Sequence, residues 1–326
     1  MKVFIHHQFL DNPAIAQHNA RLAGVYRLGQ HLQYLDDFTA WLRGFETTHP
    51  DEADFFFLPL FVPGWQFANH DPADFIAMCP HLERGRHLLL STADLGQRAA
   101  SLHEAEFPGR AYAKKYAWLD DRFTLLALES TPSLHAQDVA FLPYAIREIA
   151  PWHAPRDLFA SFMGAMSYPQ LVPEHIRGAK MRALQARHAG DAGVLLGTPQ
   201  EAAAAAGRTL SYDEVMARSV FTLCPAGYGR WSFRLVEALL HGSIPVLLAD
   251  DYVLPFADQV RWDDYAIVVP ESRSDEVVDL LRALPAERVA TLQANILRDR
   301  ERFMKPAVLE MVGKALEARV RAGVTV

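Results

Sequence analysis

The segment CPAGYGRWS (224–232) places a glycine-rich loop directly before FRLVEALL (233–240), an apolar stretch whose charged residues are Arg234 and Glu237. An apolar run precedes the loop and SIPVLLAD (243–250) follows, which predicts a strand, a loop, a helix and a second strand. In such a unit, ligands lie beyond the carboxyl end of the strand, where the helix N-terminus offers free N–H groups and a favourable dipole. We therefore expect a phosphate group to bind here.

The residue types suggest how the ligand would be held. Gly227 lets the backbone approach it closely, and Arg230 and Arg234 could each donate charge-assisted hydrogen bonds to a diphosphate. Glu237, one turn further along, suits the two hydroxyls of a ribose. The alternative is an i, i+3 ion pair between Arg234 and Glu237. The loop matches neither G-x-G-x-x-G nor a P-loop, so neither fingerprint supports the site.

Apolar strand candidates alternate with helical patterns throughout the chain, which predicts an α/β protein with parallel strands. The strand candidates are 2–6, 53–63, 87–96, 138–145, 158–165, 193–197, 220–225 and 243–250. Two successive halves of this kind describe two domains with a cleft.

A proline-rich passage, REIAPWHAPRD (147–157), is the best candidate for a linker between the halves. The expected boundaries are an N-terminal domain over 1–150 and a C-terminal domain over 151–300. Residues 301–326 are expected to form a helical tail, which could pack back onto the first domain.

The composition excludes several classes of protein. The chain of 326 residues has a net charge of −7 and no long basic run, which argues against a nucleic-acid partner. Its two cysteines, far apart in sequence, argue against a disulfide scaffold or a cysteine-based zinc site. No apolar run approaches the roughly 20 residues of a membrane span, and the N-terminus lacks the apolar region of a signal peptide. We expect a cytoplasmic protein that meets a membrane at most peripherally.

The segment FTLCPAGYGRWSFRLVEALLHGSIPVLLADDYVLPF (221–256) closely resembles the most distinctive block of the exostosin-like glycosyltransferases, glycosyltransferase family 47. Weaker similarity extends over about residues 50–305. The matching positions in the block include Cys224, Pro225, Gly227, Ser232, Phe233, Arg234, Glu237, Ala238, Gly242, Pro245 and the LPF at 254–256.

The resemblance implies a GT-B architecture, in which two Rossmann-like domains face each other across a cleft. It also implies an inverting glycosyltransferase that uses a nucleotide-sugar, usually a uridine diphosphate (UDP) sugar, and needs neither a cofactor nor a bound metal. The donor would bind mainly to the second domain, with Arg234 facing the diphosphate and Glu237 the ribose. The other donor-binding candidates are Ser232, Phe233, Arg230, Gly227, Tyr228 and Arg182.

Two positions depart from the family pattern. Position 226 is Ala where the family commonly has Arg, and an Arg stands at 230 instead. The first-domain loop reads ADLG (93–96), which keeps an Asp and a Gly of the family's His-Asp-Trp-Gly but not its His or Trp. The contacts to the phosphate and to the acceptor are therefore where this chain is expected to differ from its relatives.

An inverting transfer needs a base that removes the proton of the acceptor hydroxyl. Asp94 fits best, because it follows a strand candidate, although a solvated or capping Asp is equally plausible. His6 and His7, after the first strand, are rivals whose ordinary pKa suits a base. Trp65 is a weaker candidate for a contact with an acceptor sugar.

The leading hypothesis is a transferase that builds a bacterial surface polysaccharide or glycolipid. Two alternatives remain open: a nucleotide-sugar epimerase of GT-B type, and a degenerate module that binds glycan or nucleotide-sugar without catalysis.

Overall fold

The computed structural model describes residues 1–23, 28–60, 79–92, 119–128, 131–150, 152, 155–167, 176–227 and 229–323. The chain divides into two compact units, Met1–Phe141 with Leu309–Val326, and Leu142–Val308. The sequence placed its boundaries at 150 and 300.

The first unit contains a parallel sheet, which has five strands in the described residues. The strands are β1 (Val3–Ile5), β2 (Phe55–Leu58), β3 (His87–Ser91), β4 (Phe123–Ala127) and β5 (Val139–Ala140), and they pair in chain order. The helices described here are α1 (His7–Leu10), α2 (Pro13–Ala23) and α3 (Leu28–Leu42). Strands β2, β3 and β4 are buried along their whole length, as expected for parallel strands covered on both faces.

The second unit contains another parallel sheet, again of five described strands. They are β6 (Leu158–Met163), β7 (Val194–Gly197), β8 (Ser219–Pro225), β9 (Ile244–Leu248) and β10 (Ile267–Val269). The sheet order is β10-β9-β8-β6-β7. The chain therefore builds outward from β6 to β7, then returns to place β8 on the other side of β6. This reversal of strand order lies between β6 and β8, which pair directly.

Helices connect the strands of the second unit. They are α4 (Ala179–Arg187), α5 (Pro199–Ala206), α6 (Tyr212–Arg218), α7 (Phe233–Leu240), α8 (Val277–Arg282) and α9 (Ala286–Arg298). A last helix, α10 (Lys305–Arg321), contributes residues 309–321 to the first unit, where Arg319 Nε donates to the carbonyl of Gln137 at 2.9 Å. None of the helices in the described ranges has a stretch long and apolar enough to cross a membrane.

These observations confirm the α/β class and the two Rossmann-like domains of the predicted GT-B architecture. The cleft between the domains stays a prediction.

Candidate functional site

The strand, loop, helix and strand predicted from residues 220–250 are present. Strand β8 ends at Pro225, helix α7 begins at Phe233, and β9 lies parallel to β8. Ser232 caps the helix, because its Oγ accepts a hydrogen bond from the backbone N–H of Arg234 at 3.2 Å. The loop is tight, with the N–H of Gly227 bonded to the carbonyl of Gly229 at 3.0 Å. The N-terminus of α7 therefore follows closely on the carboxyl end of β8.

Helix α7 is almost wholly buried, and so is its arginine. Arg234 is only 7% exposed. Its Nη2 donates to the carbonyl of Met163, the last residue of β6, at 3.2 Å. Its guanidinium carbon lies 4.5 Å from the centre of the Phe162 ring and 5.4 Å from that of Tyr212. Its Nε is buried and has no hydrogen-bond partner within the described part of the chain. A buried guanidinium with an unused donor is prepared to bind an anion.

Glu237 lies one turn further along α7 and is also largely buried. Its carboxylate is 3.7 Å from Nη2 of Arg147 and accepts a hydrogen bond from the hydroxyl of Tyr212. Burial raises the pKa of Glu237 above its ordinary value, while Arg234, Arg147 and the Tyr212 hydrogen bond act against that rise. Among the described residues no ion pair joins Arg234 to Glu237 directly, so the two side chains have separate partners. The carboxylate keeps acceptor capacity that ribose hydroxyls could use.

Sequence reasoning missed Tyr212 and Arg147. Tyr212 is the first residue of α6, and its ring lies beside Arg234 while its hydroxyl bonds Glu237. Arg147, in the segment that reads as a linker, forms two hydrogen bonds with Asp213, of 2.7 and 2.5 Å, and reaches Glu237 from there. Both residues belong to distant segments, and nothing in their local sequence marks them as neighbours of α7.

Arg230 lies in the predicted loop, but it is already engaged with a carboxylate. Its Nη1 is 3.7 Å from Oε1 of Glu271, and both side chains are mostly buried. Glu271 in turn accepts from the N–H of Asp250 at 3.3 Å, and its own N–H donates to Asp250 at 3.1 Å. A phosphate would have to share Arg230 with Glu271, so the predicted donor contact of Arg230 stays a prediction.

Arg182 lies in a different setting from the one expected. Its Nη1 donates to Oε1 of Gln185 at 2.7 Å and to Oε1 of Glu201 at 2.6 Å. Glu201 also forms the capping box at the start of α5 with Thr198. These contacts link α4 to the start of α5, and the predicted donor contact of Arg182 stays a prediction. The spacing of the sequence could not separate it from other arginines in the same stretch.

The remaining donor-side candidates are structural neighbours of the loop. The rings of Phe233 and Trp231 pack edge to face, with centroids 4.8 Å apart, and Trp231 is buried. Tyr228 lies outside the described residues. The role of Phe233 in binding the donor stays a prediction.

Two of the acceptor-side candidates in the first unit are described and differ sharply. His6 is fully buried, its ring stacked on that of His87 at 5.6 Å, and burial lowers its pKa to about 3. The interpretation of His6 as a base is therefore unsupported by its position, because a fully buried ring cannot meet an acceptor. His7 begins α1, is about half exposed, and its Nε2 lies 2.5 Å from Oε1 of Glu46. Asp94 and Trp65 lie outside the described residues.

No group of three or more histidines, cysteines or acidic residues with metal-binding geometry occurs in the described ranges. The charged site consists of Arg234 and Glu237 on α7 together with Tyr212 on α6 and Arg147.

Taken together, the fold and this site define an α/β protein of two Rossmann-like domains, the second of which offers a buried cation and a buried carboxylate where its strand order reverses. The model of the Exostosin GT47 domain matches residues 122–284, half of the chain. The chain belongs to this family, which confirms the resemblance seen in residues 221–256.

Similar proteins are known from plants. A probable glucuronosyltransferase of Oryza sativa subsp. japonica is 30% identical over 275 residues, which cover 76% of this chain and 61% of the relative. A probable beta-1,4-xylosyltransferase of Arabidopsis thaliana, IRX10, is 45% identical over 83 residues, which cover 26% of this chain and 20% of the relative. The chain thus spans less than two thirds of the length of each of these relatives. The solved structure of Anabaena Alr3699/HepE in complex with UDP aligns with 98% of this chain and 100% of its own, at 12% identity and a TM-score of 0.45.

Proposed function

We propose that the protein is an inverting glycosyltransferase that moves a sugar from a nucleotide-sugar to a glycan or glycolipid acceptor. The observation that carries the proposal is the buried pair of Arg234 and Glu237 on the first turns of α7, in a chain of the Exostosin GT47 family. A guanidinium with an unused donor suits a diphosphate, and a buried carboxylate suits vicinal hydroxyls. A nucleoside diphosphate presents both groups at neighbouring positions.

The donor is proposed to be a UDP-sugar bound without a metal. The diphosphate would lie at the N-terminus of α7, where Ser232 caps the helix and Arg234 supplies positive charge. The uridine preference rests on the family resemblance. The names of the plant relatives suggest glucuronic acid or xylose as the first sugars to try, so the transferred group is proposed to be a hexosyl or a pentosyl unit.

In the proposed reaction, a base takes the proton of an acceptor hydroxyl while that oxygen attacks the anomeric carbon from the face opposite the diphosphate. A new carbon–oxygen bond forms as the bond to the diphosphate breaks, and the anomeric configuration inverts. The negative charge that develops on the leaving group would be stabilised by Arg234 and the helix N-terminus. Asp94 and His7 are the proposed bases, and Glu46 could orient His7 as a base is oriented in other catalytic sites.

We place this activity in the cytoplasm, at most peripherally on a membrane, and in the synthesis of a bacterial surface polysaccharide. A net charge of −7 without a long basic run gives no support to a nucleic-acid partner.

A thermal-shift panel of nucleoside diphosphates in EDTA tests donor binding. A ligand at about 100 times its dissociation constant adds roughly 2.7 kcal/mol of stability. We expect a selective shift with UDP that is lost in Glu237→Ala. If no nucleotide shifts the protein with or without manganese, the nucleotide site is refuted.

An acceptor panel then separates the transferase from its rivals. Release of UDP from a UDP-sugar should require an acceptor. Conversion of the donor sugar without an acceptor would instead identify an epimerase. Binding of UDP-sugar without any turnover over a broad set of glycans would identify a non-catalytic module.

A further inference from the structure

A second buried arginine lies beside the loop and was not among the candidates from the sequence. Arg177 is 7% exposed, the same as Arg234. Its Nη2 donates to the carbonyl of Pro225, the last residue of β8, at 3.2 Å. Its guanidinium also lies against the loop backbone, since a Cβ built on Gly227 would be 3.6 Å from Nη2 of Arg177.

Arg177 and Arg234 share one aromatic ring. Their guanidinium carbons lie 5.3 and 4.5 Å from the centre of the Phe162 ring. Phe162 is the penultimate residue of β6, and each arginine donates to the terminal carbonyl of one strand at the order reversal: Arg234 to β6 and Arg177 to β8. Both cations therefore converge on the crevice where a doubly wound sheet binds its ligand.

Burying Arg177 and Arg234 around one ring has an electrostatic cost. A guanidinium remains charged in proteins, so two buried arginines around one ring bring two positive charges close together. The aromatic face offsets part of this cost, and an anion of charge two or more would offset more. Glycine backbone lies beside each guanidinium, at Gly227 for Arg177 and at Gly164 for Arg234. The geometry suits an extended anion with two acceptor centres.

We propose that Arg177 and Arg234 together bind the diphosphate of the donor, with Arg177 supplying the second cation. This inference rests on the proposed function and extends it, because it assigns the two phosphoryl groups to two arginines from separate parts of the chain.

Calorimetric titration with UDP and with uridine, in EDTA, tests the proposal. Arg177→Gln removes the charge but keeps an N–H group that can bond the Pro225 carbonyl, and Arg177→Lys keeps the charge. We expect Arg177→Gln to weaken UDP binding by about tenfold or more, and Arg177→Lys to weaken it less. Uridine, which lacks phosphate, should bind all three proteins equally. Arg187→Gln is the matched control, because Arg187 is the last residue of α4 and pairs with Asp279, and it should bind UDP as the unmodified protein does.

Three outcomes would overturn the assignment. In the first, Arg177→Gln binds UDP with unchanged affinity while Arg234→Met weakens it; the proposed function then stands and Arg177 is only a structural residue. In the second, Arg177→Gln weakens UDP and uridine equally, which indicates a general disturbance of the site. In the third, the unmodified protein binds no nucleoside diphosphate, and the proposed function fails with it.

Discussion

Each unit has aromatic rings packed against buried polar side chains: a pair of histidines in the first unit and a pair of arginines in the second. In the first, His6 and His87 stack beside Phe56, and burial lowers the pKa of His6 to about 3 and that of His87 to about 4. These rings are neutral at physiological pH and are compatible with an apolar core. In the second, Arg177 and Arg234 pack on Phe162, and a guanidinium group carries its charge in proteins. Burial therefore neutralises the polar groups of the first cluster and leaves the second cluster charged.

The two sheets also differ in the order of their strands. The described strands of the first sheet pair in chain order, whereas those of the second reverse their order between β6 and β8. Ligands in open α/β sheets bind at such a reversal. The charged cluster of the second unit lies at this point, which is why we assign ligand binding to it and core packing to the buried histidines.

The largest expected effect comes from removing the charge of Arg234. Arg234→Met keeps an apolar side chain of similar length against Phe162, so the protein should fold. Loss of one donor to a developing anion typically costs about 3 kcal/mol, or roughly a hundredfold in rate. We expect kcat/KM for sugar transfer to fall by about that factor, measured as acceptor-dependent release of UDP. Activity within a few-fold of the unmodified protein would remove Arg234 from the reaction.

The histidine cluster should make the first unit sensitive to acid. Because burial depresses the pKa of His6 from 6.5 to about 3, the unfolded chain binds a proton between these values that the folded chain does not. The contribution of His6 to the free energy of unfolding is therefore present above pH 6.5, and it is lost as the pH falls from there toward 3. Between pH 7 and 5 the free energy of unfolding should drop by about 2 kcal/mol for this histidine.

Urea unfolding at pH 7 and pH 5 measures this loss. His6→Phe should flatten the dependence on pH, and substitution of the exposed His49 by Asn should leave it as it was. If stability depends on pH equally in His6→Phe and in the unmodified protein, His6 has the same pKa in the folded and the unfolded chain, and the prediction is wrong.

In the second unit, Glu237 should make the binding of the donor depend on pH. Burial raises its pKa above the ordinary 4.5, so the carboxylate gains a proton at a higher pH than a solvated glutamate does. In the proposed site the ionised form would accept hydrogen bonds from both ribose hydroxyls, so affinity should be present above the raised pKa and lost as pH falls through it. Uridine is the appropriate probe, since it has the ribose but no titrating phosphate.

We expect the affinity for uridine, measured by NMR titration between pH 7.5 and 5, to fall as the pH is lowered. Glu237→Gln should bind more weakly at pH 7.5 and show no such fall. A parallel decline in both proteins would mean that another group controls the binding.

The smallest effect is expected from Tyr212. Tyr212→Phe keeps the ring beside Arg234 and removes only the hydroxyl that bonds Glu237. Loss of one such hydrogen bond costs about 1 kcal/mol, so KM for the donor should rise roughly fivefold. Tyr252→Phe is a suitable control, because the buried hydroxyl of Tyr252 has no hydrogen-bond partner in the described part of the chain. Equal KM values in the two variants would rule out a positioning role for Tyr212.

The contiguous part of the site can be predicted from the sequence, but the residues that other segments contribute to it cannot. Residues 220–250 are contiguous, so apolar periodicity and a glycine-rich loop were enough to predict β8, α7 and β9, and with them Arg234 and Glu237. Alternating strands and helices also predicted parallel sheets. They could not predict strand order, because alternation is compatible with both the sequential first sheet and the reversed second sheet.

Arg177 and Arg182 illustrate the limit. Both are arginines near the start of α4, and the sequence analysis named only Arg182, whose guanidinium bonds Glu201. Only the tertiary fold brings Arg177 to the end of β8. Tyr212 and Arg147 reach Glu237 in the same way, from segments that carry no motif.

The central claim, that the buried charge of the second unit is a diphosphate site, is tested most directly by titrating UDP and uridine into three proteins in EDTA. They are the unmodified protein, Arg234→Met and Arg156→Met. Arg156 is the control, because it lies at the opposite end of β8 and its guanidinium is occupied by the carbonyls of Ala217, Ser219 and His241. We predict that the preference for UDP over uridine falls by about tenfold or more in Arg234→Met and persists in Arg156→Met. The same preference in all three proteins would contradict the account.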